Sequence, residues 1–186
     1  RHVYLTVGDL QRLLQAIPDA RGDDKRIIAL AALTGLRRGE LLALEPSNVV
    51  SGRILLRPDQ TKNGKARIVP VPIDAQPWLH NLPWQSTPST LRWTWEKARV
   101  VIGRKDLRFH DLRHSYASIL ASQGQSLHII GALLGHSSYN TTIKYAHLLD
   151  DPLRRATEGV GRVVSGSSAE GEGAEVVPLR RGEGQA

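Results

Sequence analysis

Apolar side chains recur along the first 45 residues at intervals of three and four, the spacing that turns one face of a helix toward a core. In "YLTVGDLQRLLQAIP", Leu10, Leu13 and Leu14 share such a face, with Thr6 at the position of an N-cap and Asp9 in the first turn. Pro18, Asp19 and Gly22 break the pattern. "DDKRIIALAALTG" predicts a second helix that closes on Gly35, a residue suited to a left-handed cap. "LRRGELLALEP" predicts a short third helix that stops before Pro46, because a residue preceding proline avoids helical backbone.

The period then changes. "SGRILLRP" and "KARIVPVP" are runs rich in β-branched residues, separated by the polar turn "DQTKNGK", and they predict a small hairpin or meander. Helical spacing returns in "LRWTWEKARVVIG", "HDLRHSYASILASQG", "SLHIIGALLGH" and "NTTIKYAHLL". In the second of these, Leu112, Tyr116, Ile119 and Leu120 are expected on the core face. His110 and Arg113, three residues apart, fall one above the other at its border. Beyond Leu153 the chain turns to Gly, Ser, Glu and Ala, too poor in apolar surface to order itself. The expected architecture is therefore mainly α with a small antiparallel β-sheet (α+β) over residues 1–150. Residues 151–186 are expected to form a C-terminal segment that is largely a flexible tail.

Composition narrows the chemistry. The 186 residues include no cysteine, which removes disulfides, thiolate nucleophiles and Cys-based zinc sites. No run approaches the roughly 20 apolar residues of a membrane span, and "RHVYLTVGD" lacks a signal peptide's apolar core. A cytoplasmic, nucleoid-associated protein without membrane contact is expected. With no Met at all, even at position 1, the chain reads as a fragment or processed piece. Its net charge is +7 and its pI about 10.1. Residues 151–186 hold five Lys/Arg and six Asp/Glu, which leaves 20 basic and 12 acidic side chains in residues 1–150, a net of +8. The folded part is the basic part. A polyanion such as DNA or RNA is its natural partner, because Lys and Arg displace condensed counterions from phosphates.

Four stretches carry candidate chemistry. Arg37 and Arg38 follow the glycine cap at the start of a helix in "TGLRRGELLAL". Lys62 sits on the turn between two strands in "TKNGKARIVP". His110 and Arg113 open "HDLRHSYAS", where a cation opposes the helix dipole unless something negative arrives. His136 follows a glycine in "LLGHSSYNTTIKYAHL", and Tyr145 lies nine residues later within an apolar helix. Each feature alone has an ordinary reading as a solvated charge, a turn lysine, a helix stop or a core tyrosine. His110 and His114, at i and i+4, could share a metal ion, but no Glu stands between them and no third ligand is evident.

Taken together, the order Arg, Lys, His-x-x-Arg, His, Tyr in these flanks resembles the catalytic domain of the tyrosine recombinases, or phage-type integrases. The resemblance covers about residues 5–150, including the separations of 23 residues from Arg113 to His136 and nine from there to Tyr145. It implies the fold that this family shares with type IB topoisomerases. Residue by residue it implies Arg37 and Arg113 as catalytic arginines, Lys62 as the turn lysine, His110 and His136 as the histidine positions and Tyr145 as the nucleophile. Glu40 corresponds to the supporting acidic residue. Lys65, on the same turn, rivals Lys62, and Arg38 falls where the family varies. The implied reaction is breakage and rejoining of double-stranded DNA through a 3′-phosphotyrosyl link, with no metal, ATP or other cofactor. A topoisomerase of the same chemistry and a catalytically silent DNA-binding module are the alternatives, and the second predicts a lost Tyr, Arg or His. The resemblance further implies an N-terminal clamp domain outside this chain. It implies a homotetramer on DNA for the full-length protein, a monomer for this fragment, and an inter-subunit contact within residues 151–160.

Overall fold

The computed structural model describes residues 4–165. Thr6 opens α1 (Val7–Gln15) with a reciprocal cap: its hydroxyl accepts from the Asp9 N–H at 3.1 Å, and the Asp9 carboxylate accepts from the Thr6 N–H at 3.2 Å. The same carboxylate binds Arg12 (2.7 Å) and Arg104 (2.8 Å), which ties α1 to the chain beyond α4 (Pro88–Val101). In α2 (Gly22–Thr34) five consecutive residues, Ile27 to Ala31, are buried, so this helix is apolar on every side there and runs through the centre of the domain. It closes on Gly35 at φ +66°, and the short α3 (Arg38–Leu42) follows.

The two β-branched runs form β2 (Arg53–Leu56) and β3 (Arg67–Pro70), and a two-residue β1 (Val49–Val50) completes a three-stranded antiparallel meander in the order β1-β2-β3. Ile54 pairs with Val69, and Leu56 with Arg67. Ile54, Leu56 and Val69 turn inward while Ile68 stands exposed, the alternation expected of a sheet with one covered face. After α4 come α5 (Asp111–Ser122) and α6 (Leu127–Leu134). A 3-10 run over Ile143–Leu148 and then α7 (Asp150–Ser165) complete the described chain.

The interior is divided. A large cluster joins α1, α2, α3, the sheet and α4 through residues such as Leu13, Ile27, Leu30, Leu41, Ile54 and Leu91. A smaller one joins α5, α6 and the 3-10 run through Ala117, Ala121, Ile130, Leu134 and Tyr145. Gly35 lies where the two meet. A Cβ there would come within 2.6 Å of Tyr116 and 2.8 Å of Leu134, so the close approach of α2 to α5 and α6 requires glycine as much as the backbone angle does.

Three expectations need correction. On α5 the buried positions are Asp111, Leu112, Arg113, Ser115, Ala117 and Ala121, whereas Tyr116, Ile119 and Leu120 are half-buried. The helix packs on both clusters, so its inner face is wider and more polar than apolar periodicity alone suggests. Tyr145 lies in a 3-10 run, not an α-helix. Residues 150–165 are helical where a tail was expected: Arg155 donates to the Ser122 carbonyl at 2.9 Å, and Leu153, Val160, Val163 and Val164 recur at helical spacing, although exposed. The remainder of the expected tail, residues 166–186, lies outside the described residues.

Candidate active site

Arg37 is the N-cap residue of α3, and the fold builds a carboxylate around it. Glu40, buried one turn later, accepts from the Arg37 guanidinium and from the Arg37 backbone N–H, each at 2.8 Å. Its second oxygen also takes Arg67 Nη2 at 2.7 Å. Sequence reasoning did not single out Arg67, because an arginine on a short strand looks like a solvated charge. Tertiary packing makes it a bridge: its other end donates to the Leu133 carbonyl at 3.4 Å, and a Cβ on Gly135 would collide with its guanidinium. Arg67 therefore joins β3 to α3 and to the end of α6, one residue before His136. Its buried Nε has no hydrogen-bond partner. Burial pushes the Arg67 pKa down, Glu40 opposes that, and nearby Arg37 reinforces it.

Arg113 is the most enclosed cation of the site, 3% exposed. Its guanidinium donates to the carbonyls of Gly35 (2.6 Å) and Leu134, which end α2 and α6. Two helix C-termini thus present their negative ends to one buried charge. Burial first, then Arg37 and Arg67, push its pKa down to about 9, which leaves it charged at neutral pH.

Tyr145 is 2% exposed and belongs to the smaller core. Its hydroxyl meets His114 Nδ1 at 2.6 Å. His114 is a functional candidate that the sequence offered only as a weak metal-sharing partner of His110. The signal was its place at i+4 from His110, and the two rings now meet edge to face with centroids 4.8 Å apart. Among the described residues no group of three or more His, Asp or Glu side chains could hold a metal ion. Burial, then Lys144 and His110, push the His114 pKa down to about 4, so its imidazole is neutral at pH 7. Burial raises the Tyr145 pKa, and Arg113 pulls it the other way. Lys144, a second residue missed from sequence, lies with its ammonium 5.1 Å from the Tyr145 ring centroid. Burial and Arg113 lower its pKa.

His110 stands at the N-cap of α5, with part of its ring open to solvent. Burial of the rest, with Arg113, Lys144 and Arg37 nearby, lowers its pKa. His136 follows the left-handed Gly135, and its Nδ1 meets Thr142 Oγ1 at 2.8 Å. Its pKa is pushed down to about 4 by burial, Arg113, Lys144, Arg37 and Arg67. The fold thus gathers Arg37, His110, Arg113, His136 and Tyr145 into one electrostatic neighbourhood. Lys62 is exposed on the turn after β2. A pocket of about 300 Å³ between Arg37, Glu40, Arg67 and His136 is lined by Lys65, while Lys62 is not among its lining residues.

Fold and site define a mainly α domain with a small meander, in which a cationic pocket lies beside the smaller core that holds a buried tyrosine. The chain belongs to the phage integrase family, whose sequence profile matches residues 4–151. A tyrosine recombinase of Thermosipho africanus (strain TCF52B) is 31% identical over 163 residues, covering 79% of this chain and 58% of that protein. The tyrosine recombinase XerA of Thermococcus kodakarensis (strain ATCC BAA-918 / JCM 12380 / KOD1) is 30% identical over 177 residues, covering 83% and 61%. The chain therefore spans less than two thirds of the length of these relatives. Among solved structures, the catalytic domain of bacteriophage HP1 integrase superimposes with a TM-score of 0.67 at 26% identity, over 85% of this chain and 95% of that one. XerA recombinase gives 0.65 at 26% identity, over 84% and 65%.

Proposed function

We propose that the chain is the strand-cleaving and rejoining domain of a site-specific DNA recombinase, acting on double-stranded DNA in the cytoplasm, and that Tyr145 is its nucleophile. The observation that carries this reading is a surplus of cations and donors in one neighbourhood, two of which, Arg113 and Lys144, act on the Tyr145 phenol. Arg37, Arg67, Arg113 and Lys144 act on one another and on the histidines, while Glu40 is the carboxylate they share. Arg67 Nε–H also lacks an acceptor. Such a site is short of one anion, and a phosphodiester supplies it.

The Tyr145 oxygen attacks phosphorus and the bond to the 5′-oxygen breaks. A 3′-phosphotyrosyl link forms and a 5′-hydroxyl departs. Arg37 and Arg113 take the non-bridging oxygens with their paired N–H donors. With Nδ1 of His136 engaged by Thr142, Nε2 is the ring nitrogen left to meet the same phosphate. His114 accepts the phenol proton, and the adjoining His110 relays it toward solvent. The incoming phosphate itself prepares this step: its charge offsets Arg113 and Lys144, the cations that add to burial in depressing both histidines. Lys62 gives a proton to the leaving 5′-oxygen, with Lys65 its rival on the same turn. Glu40 positions Arg37. Attack by a 5′-hydroxyl on the phosphotyrosine reverses the sequence and conserves the bond, so neither ATP nor a metal is called for. The complete protein is proposed to act as a tetramer on two duplexes, with α7 offering its exposed Leu153, Val160 and Val163 to a neighbour.

The test is a pool of nicked duplexes of random sequence from which the cleaved fragment diffuses away. Wild type should accumulate a covalent protein–DNA adduct that resists EDTA, and Tyr145→Phe should give none. An adduct that persists in Tyr145→Phe places the nucleophile elsewhere. Lys62→Ala and Lys65→Ala, each supplied with a strand bearing a 5′-thiol leaving group, identify the acid: cleavage is rescued only in the variant that lost it.

A further inference from the structure

Arg37 and Arg38 are consecutive, yet they line different hollows. Arg37 borders the pocket shared with Glu40, Arg67 and His136. Arg38 lines a second cleft of about 350 Å³, together with Trp95, Phe109 and three more arginines, Arg92, Arg99 and Arg108. The floor is aromatic, with the Trp95 and Phe109 rings edge to face at 5.4 Å.

The four arginines are not equivalent. Arg99 is neutralised by Glu96 and donates to the carbonyls of Lys105 and Leu107. The side chains of Arg38, Arg92 and Arg108 are exposed and, among the described residues, carry no hydrogen bond or ion pair. That sets them apart from Arg12, Arg26, Arg57, Arg67 and Arg104, each of which holds a carboxylate. The cleft's one lining carboxylate, Glu96, is engaged by Arg99, which leaves the other three guanidinium groups to attract an anion from outside. The cleft is also anchored to the catalytic elements. Arg38 follows Arg37, and Arg108 precedes His110 by two residues, its backbone N–H held by the Asp111 carboxylate at 2.8 Å.

We propose that this cleft binds a non-reacting backbone phosphate of the DNA, flanking the phosphate held by Arg37. The inference rests on the reading of the chain as a DNA-cleaving enzyme and adds a second contact to it. Arg37 and Arg38 line different hollows at the start of α3, so the two side chains can hold two different phosphates of one duplex. The planar guanidinium suits a phosphate's paired oxygens. A contact of this kind sets register along the strand and carries no sequence information.

The test is the salt dependence of affinity, measured with the full chain and short duplexes of several unrelated sequences. Because one phosphate occupies the cleft, the triple variant Arg38→Gln, Arg92→Gln, Arg108→Gln should flatten the slope of log affinity against log salt by about 0.9, and each single variant by less. The loss should be the same for every sequence. The triple Arg→Lys variant should restore the slope, and Arg12→Gln, which removes an arginine already paired with Asp9, should leave it unchanged. A triple Gln variant that melts like wild type and keeps the wild-type slope overturns the proposal. Losses confined to particular sequences overturn it as well, because they assign the arginines to base edges. A wild-type chain with no salt-dependent affinity for any duplex instead removes the DNA reading itself.

Discussion

The two clusters of the interior are built from similar aliphatic material but do different work. The larger one, around α2 and the sheet, contains Ile27, Leu30 and Ile54 and no proposed reacting group. The smaller one, around α5 and α6, counts the proposed nucleophile Tyr145 among its core residues. Between them runs a seam with Gly35 on one side, Leu134 on the other and the Arg113 guanidinium bonded to both carbonyls. The first cluster is a platform. The second holds the hydroxyl of the proposed nucleophile, and the cation at the joint belongs to structure and, in the proposed reaction, to chemistry as well.

That division is broken or sharpened most strongly at the arginines. Arg113→Ala should slow adduct formation by a factor of about 10²–10³ or more and cost about 2–5 kcal/mol of stability, since two buried carbonyls lose their donor. Arg37→Ala should slow adduct formation comparably yet lower stability by only about 1 kcal/mol, because Glu40 keeps Arg67 as its partner. Equal melting of the two variants in urea would deny Arg113 its place at the joint. Next comes the glycine that lets the clusters touch. Gly35→Ala should cost about 2–4 kcal/mol. Gly64→Ala, at nearly the same φ but in open space, should cost about 1–2 kcal/mol from the backbone alone.

A subtler pair tests whether the clusters are separable. Ile27→Val and Ile130→Val, both at fully buried positions, should each cost about 0.5–1.5 kcal/mol. Only Ile130→Val should also slow the adduct, by severalfold, since it loosens the packing that holds Tyr145. The smallest effect is that of pH. In the folded chain His114 and His136 have pKa values near 4, below the unfolded value of about 6.5. The unfolded chain therefore binds more protons between these values. Stability is full above pH 6.5 and falls as pH drops toward 4. His114→Gln should flatten the stability–pH profile over that window, as read from urea unfolding at several pH values.

Much of the platform was legible in the chain itself. Thr6 and Asp9 announce a reciprocal cap, Gly35 a left-handed helix end, and the β-branched runs around "DQTKNGK" a meander. These signals are local, and backbone sterics act the same way wherever they occur. The helical character of residues 150–165 was not legible, because scattered Leu and Val among Gly and Arg make a weak pattern. Nor was the inner face of α5, where Arg113 is buried because two other helices end upon it.

The sequence by itself determined the succession of elements, the basic character of residues 1–150 and which six side chains resemble a catalytic set. Those depend on short-range periodicity, residue chemistry and spacing, all of which are present in the linear chain. Only the tertiary structure decided that Arg67 shares Glu40 with Arg37, that His114 meets the Tyr145 hydroxyl, and that Lys65 lines the pocket beside Arg37. It also decided that Arg38 turns to a different cleft from its neighbour. Each of these joins residues on separate elements, or separates adjacent ones. Contacts of that kind follow from how helices pack, which no local pattern encodes.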